Sequence, residues 1–132
     1  MATILLVDDD PWVRPMVREA LEHLGHEVLD AGGGEEALGV EQRCPQRIDL
    51  LLTDIVMPGL SGPELARKFR WRRPRAKVLY MSAFDLVHIA HHNISVDPGV
   101  PMLTKPFTLT ALAQKVRQVL DPPPIVERPR AR

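Results

Sequence analysis

The chain has little cysteine, few aromatic residues and no net charge, and each shortage narrows what it can be. A single cysteine, Cys44, excludes an internal disulfide and fits a reducing compartment, where it is expected to be structural. Lys plus Arg and Asp plus Glu both number 17, so no overall field draws the chain to nucleic acid or to an anionic membrane, and neither is expected as a partner. No apolar run approaches the ~20 residues of a membrane span. From Met1 the sequence runs through Ile4-Leu5-Leu6-Val7 straight into aspartates, without the basic start and long apolar core of a signal peptide. These absences predict a soluble, cytoplasmic protein.

What is present suits one α/β domain over residues 1–121. A chain of 132 residues with 45% hydrophobic content can bury a proper core but has no room for a second sizeable domain. Three continuous apolar runs, Ile4 to Val7, Ile48 to Thr53 and Lys77 to Met81, read as parallel strands covered on both faces. Glu27 to Asp30 and Pro101 to Thr104 are weaker strands. Two apolar stripes recur at helical spacing: Val13, Val17, Ala20, Leu21 and Leu24, then Leu109, Leu112, Ala113, Val116 and Leu120. Glu35 to Arg43, Pro63 to Trp71 and Asp85 to His92 complete five helices, with Gly25 and Gly32-Gly33-Gly34 as breaks. Pro15 is expected to delay or kink the first helix. Strand and helix alternate five times, which predicts a doubly wound, five-stranded parallel sheet of the flavodoxin-like kind, with its ligand site beyond the carboxyl ends of the strands. Asp121 and Pro122-Pro123-Pro124 stop the last helix, and residues 122–132, with Arg128, Arg130 and Arg132 against Glu127, are expected to be a disordered tail.

The chemistry gathers at the predicted strand ends. Asp8, Asp9 and Asp10 follow the first strand and Asp54 follows the third, so parallel pairing brings four carboxylates to one edge. Their repulsion calls for a raised pKa or a bound cation, and Mg²⁺, which takes oxygen ligands, is the economical answer. Asp10, just before Pro11, reads instead as a helix cap. Ser82 follows the fourth strand and Lys105 the fifth, adding a hydroxyl and an ammonium to that edge. Such a set suits phosphoryl transfer, in which positioning and charge neutralisation supply most of the catalysis. Asp54 would be the nucleophile that becomes an acyl phosphate.

The segments Val7-Asp8-Asp9-Asp10-Pro11, Thr53 to Gly62 (TDIVMPGLSG), Met81-Ser82-Ala83 and Thr104-Lys105-Pro106-Phe107 together resemble the signature of response-regulator receiver domains, in order and in spacing, over residues 3–120. The resemblance implies a phosphoacceptor role for Asp54. It implies Mg²⁺ bound by Asp9, Asp54 and the Val56 carbonyl, with Asp8 acting through a water. Ser82 would be the hydroxyl switch, Lys105 the partner of the phosphoryl group, and Lys105–Pro106 a cis peptide. It implies phosphorylation by a histidine kinase or a histidine phosphotransfer protein, output through an unidentified protein partner, and no enzymatic action on an outside substrate. The stretch from Ser82 to Phe107 looks most like receivers of hybrid histidine kinases, although the start at Met1 favours a stand-alone regulator over an excised piece. Where the family carries Tyr or Phe, three residues before the lysine, this chain has Met102. That puts the usual aromatic relay in doubt and leaves phosphorylation itself intact.

Asp8-Asp9-Asp10 superficially offers the Asp-x-Asp start of a haloacid-dehalogenase-type phosphatase, but Trp12 stands where that motif wants Thr or Val. A receiver that acts independently of phosphorylation is a third reading, motivated by Met102. Seven basic residues between Arg67 and Lys77, around Phe69 and Trp71, read as a solvated helix face rather than a nucleic-acid patch. His88, His91 and His92 have metal-compatible spacing but read as an exposed helix with no carboxylate to orient them. Gly32-Gly33-Gly34 lacks phosphate-loop spacing and reads as a turn before Glu35.

Overall fold

The computed structural model describes residues 1–121. The tail expected over 122–132 lies outside the described residues. The elements run β1 (Thr3–Val7), α1 (Val13–His23), β2 (Glu27–Ala31), α2 (Gly34–Arg43), β3 (Leu50–Asp54), α3 (Gly62–Arg72), β4 (Lys77–Ser82), α4 (Leu86–His91), β5 (Met102–Thr104) and α5 (Leu109–Leu120). All five strands pair in parallel, in the order β2-β1-β3-β4-β5.

The continuous apolar runs arise because both faces of the sheet are covered and side chains alternate between them. Leu5, Val7, Leu51, Val78 and Tyr80 pack with Ala37, Leu65, Ala66, Phe69 and Ile89 of α2, α3 and α4. Ile4, Leu6, Leu50, Leu52, Leu79 and Met81 pack on the other face with Val17, Leu21, Leu112 and Val116 of α1 and α5. Such burial, at roughly 1.5–3 kcal/mol per large apolar side chain, is the main force fixing the layers.

Three sequence expectations shift. Pro15 does not delay α1: the helix begins at Val13, so the proline lies in the first turn, where its missing N–H has no partner to lose. The glycine run is not a turn throughout, because Gly34 is the first residue of α2 and Gly33 its N-cap. The third strand starts at Leu50 rather than Ile48 and extends to Asp54, with Ile48 buried just ahead of it. No helix among the described residues is long and apolar enough to cross a membrane.

Candidate functional site

The strand order reverses between β1 and β3, whose following helices pack on opposite faces of the sheet, so a crevice opens at their carboxyl ends. Asp8 leaves β1 and Asp54 ends β3, so both border that crevice. The Asp54 Oδ1 accepts from the Ile55 N–H at 3.0 Å. Behind it stands the start of α3, held by reciprocal capping between Ser61 and Glu64. Gly62 donates its N–H to the Ile55 carbonyl at 2.8 Å. A Cβ on Gly62 would lie 2.2 Å from the Asp54 carbonyl oxygen, so only glycine lets α3 approach the Asp54 backbone this closely. The sequence reading gave Gly62 no role; its place eight residues after Asp54 was the available signal.

Carboxylate oxygens of Asp8, Asp9 and Asp54 lie within 4.8 Å of one another. Asp8 is 0% exposed and Asp54 8%, whereas Asp9 is exposed. The Lys105 Nζ donates to Asp8 Oδ2 at 2.8 Å and to Asp54 Oδ2 at 3.2 Å. Asp8 Oδ1 also accepts from the Asp10 N–H at 2.9 Å. Burial pushes the Asp54 carboxyl up to about 6; the Lys105 charge opposes the rise and the Asp8 charge adds to it. Burial alone would depress the Lys105 ammonium, but its bond to Asp8 and the charges of Asp54 and Asp8 outweigh that and raise it. The two carboxylates thus hold the Lys105 ammonium in its charged form despite its burial.

Asp8, Asp9, Asp54 and Lys105 therefore meet as the sequence predicts, while Asp10 stands apart. Its Oδ1 accepts from the Trp12 and Val13 N–H groups at 2.8 and 3.2 Å, so it holds the turn that leads into α1, while Trp12 and not Asp10 occupies the N-cap position. The Val56 carbonyl accepts no hydrogen bond among the described residues. Ser82 lies at the end of β4, one residue past Met81, the neighbour of Asp54 in the sheet. Its hydroxyl is turned into its own loop, bonded to Phe84. The Lys105–Pro106 peptide is cis. Met102 is half-buried in β5 and borders a cavity of about 620 Å³ shared with Phe84, Leu86 and His88.

Of the remaining motifs, His88 corrects one expectation: its Nδ1 lies 2.8 Å from Asp85 Oδ1, so a carboxylate does orient it. Even so, the only group of three or more potential metal-ligating side chains among the described residues is Asp8, Asp9 and Asp54. In the basic stretch, Phe69 is buried and Trp71 exposed, while Arg72 and Arg73 bind the buried Glu41 at 2.7 and 2.9 Å.

The model of the response regulator receiver domain matches residues 4–117. The sensor kinase CckA of Brucella abortus is 35% identical over 91% of this chain, which spans 13% of that kinase. The response regulator receiver protein CpdR of the same organism is 34% identical over 91% of this chain and 98% of its own length. The chain spans about half of the transcriptional regulatory protein TcrX of Mycobacterium tuberculosis, at 32% identity. Among solved structures, the receiver domain of the hybrid histidine kinase CckA is 36% identical, with a TM-score of 0.76 over 90% of this chain and 99% of that one. The response regulator TrrA of Thermotoga maritima, solved with Mg²⁺ and BeF, is 32% identical, with a TM-score of 0.72 over 91% of this chain and all of its own. The chain belongs to the response-regulator receiver domains of two-component systems, whose members are phosphorylated on aspartate.

Proposed function

We propose that Asp54 is the phosphoacceptor of a cytoplasmic two-component phosphorelay, phosphorylated with Mg²⁺ by a histidine kinase or a histidine phosphotransfer protein, and that the chain signals to a protein partner by a change of shape. The observation that carries this reading is the meeting of Asp8, Asp9 and Asp54 beside Lys105, whose Nζ bonds both Asp8 and Asp54.

A carboxylate oxygen of Asp54 attacks the phosphorus of a phosphohistidine. The new O–P bond forms as the N–P bond breaks, and the electron pair stays on the imidazole nitrogen. The raised but still sub-neutral pKa of Asp54 keeps it mostly ionised for this attack. Asp9, Asp54 and the free Val56 carbonyl, with Asp8 behind a water, form the hard-oxygen set that Mg²⁺ favours. When bound, the cation supplies neutralising charge at the phosphoryl oxygens. Lys105 holds one of those oxygens, and the Ser82 hydroxyl another. Lys105 also lines an apolar groove of about 450 Å³ between α1 and the start of α5. The exposed Trp12 stands just before it, and the exposed Met16 and Leu109 line it. A helical partner seated there would present its phosphohistidine to Asp54.

The phosphatase reading needs Asp8 as nucleophile. Its full burial, with one oxygen held by Asp10 and the other by Lys105, favours Asp54 instead. Acetyl phosphate with Mg²⁺ should add one phosphoryl group, mapped to Asp54 by mass spectrometry, and Asp54→Asn should abolish it. Equal incorporation by the variant, or label on Asp8, would overturn the assignment.

A further inference from the structure

The amino end of the sheet, opposite the carboxylate cluster, carries the reverse charge. A cavity of about 450 Å³ opens there, on the face covered by α1 and α5. Arg47, Arg75, Lys77 and Arg117 line it against the carboxylates Asp49 and Asp121. Asp49 is already engaged, accepting from the Thr3 N–H at 2.9 Å and pairing with Arg47 at 3.1 Å. Arg75, Lys77 and Arg117 make no ion pair among the described residues. Arg72 and Arg73, by contrast, are occupied by Glu41 and add nothing to this field.

We infer that this cavity is a binding site for a phosphate-bearing small anion, a nucleoside diphosphate or an inorganic polyphosphate. Three cations in no ion pair, against the one carboxylate of Asp121 that is likewise unpaired among the described residues, leave the concavity net positive, and an anion that bridges them offsets that charge. Arginine presents a planar fork of donors that matches phosphate oxygens, and lysine adds a point charge. Cations from three separate segments suit a ligand of more than one phosphoryl unit. The volume falls within the range of small-molecule sites, roughly 300–1,000 Å³, and exceeds the need of a single phosphate. Leu24, Ala113 and Leu120 give the same cavity an apolar wall that can take the body of a nucleoside. Strands of five or six residues separate the cavity from Asp54 by about 16 Å, so occupancy need not block phosphorylation.

The test is a titration of the isotopically labelled full chain with inorganic pyrophosphate and, separately, with ADP, followed by amide NMR. A chelator replaces Mg²⁺, which keeps phosphates away from the carboxylate site. Saturable shifts are expected at Arg47, Arg75, Lys77 and Arg117, with ADP at least about threefold tighter than pyrophosphate because of the apolar wall. The double substitution Arg75→Gln/Arg117→Gln, at exposed positions, should weaken both by about tenfold or more. The same variant should still take up phosphate at Asp54 from acetyl phosphate, which separates this site from the proposed phosphoacceptor chemistry. Equal affinity for the two probes would overturn the role of the apolar wall. Non-saturating shifts spread equally over Arg67, Lys68 and Arg70, or binding unchanged in the double variant, would overturn the site.

Discussion

Ser82 holds Phe84 by both of its main-chain polar groups: the hydroxyl donates to the Phe84 carbonyl at 2.9 Å and accepts from the Phe84 N–H at 3.0 Å. The Phe84 ring in turn lies against two histidines of the α4 region, with centroids 6.4 Å from His88 and 5.8 Å from His92. One hydroxyl at the edge of the phosphoacceptor crevice is thereby tied to an aromatic ring packed on histidines of the α4 region.

The carboxylate cluster predicts a stabilising response to Mg²⁺. A ligand that binds only the folded chain adds roughly 1.4 kcal/mol at ten times its Kd, which in a domain of this size raises the Tm by about 5 °C. Asp9 is exposed and bonds to nothing else among the described residues, so Asp9→Ala should remove the response without harming the fold. Differential scanning calorimetry across a Mg²⁺ series measures both. An undiminished Tm rise in Asp9→Ala would move the cation elsewhere.

The raised Asp54 pKa predicts a pH-dependent cost. The unfolded carboxyl titrates at its ordinary value of 3.8 and the folded one at about 6. Between those values the folded chain binds more protons, so stability falls as pH rises through that window. Lys105, whose pKa is raised, stays charged throughout it and contributes a constant amount. Asp54→Asn removes the cost along with one of the two bonds of Lys105. The variant should be more stable than the parent by about 1–3 kcal/mol near pH 7.5, and the gain should vanish near pH 4. Urea denaturation at the two pH values checks this, and a gain independent of pH would contradict it.

Most of the scaffold was legible because its cause is local. A strand covered on both faces must be continuously apolar, as Leu50-Leu51-Leu52 is, and a helix packed on one face must repeat its apolar residues, as Val13, Val17 and Leu21 do. The site was legible because Asp8, Asp54, Ser82 and Lys105 each stand where a strand ends, and parallel pairing aligns those ends. What stayed hidden depends on contacts between distant segments. The closeness of Gly62 to the Asp54 carbonyl follows from how α3 docks, and the Glu41 pairing with Arg72 and Arg73 joins residues 31 and 32 positions apart. The basic cavity draws its cations from the segment before β3, the start of β4 and α5, so no single window of sequence displays it.

The last prediction joins Ser82, Phe84 and Met102. A phosphoryl group on Asp54 offers the Ser82 hydroxyl a charge-assisted bond worth roughly 1.5–3 kcal/mol, against two neutral bonds of about 1 kcal/mol each to Phe84. The exchange is close to balanced, which is what a two-state switch requires, since only differential contacts can shift it. When Ser82 turns to the phosphoryl oxygen, Phe84 loses both main-chain anchors, and its ring can leave His88 and His92 for the cavity of about 620 Å³ beside Met102. A flexible thioether at position 102 leaves room there that a second ring would fill. Amide NMR with and without acetyl phosphate should therefore show large changes over residues 83–101. Ser82→Ala should abolish those changes, Phe84→Ala should confine them to the loop before α4, and Met102→Leu should leave them largely intact. Phosphate uptake at Asp54, measured in the same samples, should persist in all three variants. If Met102→Leu erased the changes while Ser82→Ala and Phe84→Ala spared them, the signal would run through β5 and not through Phe84.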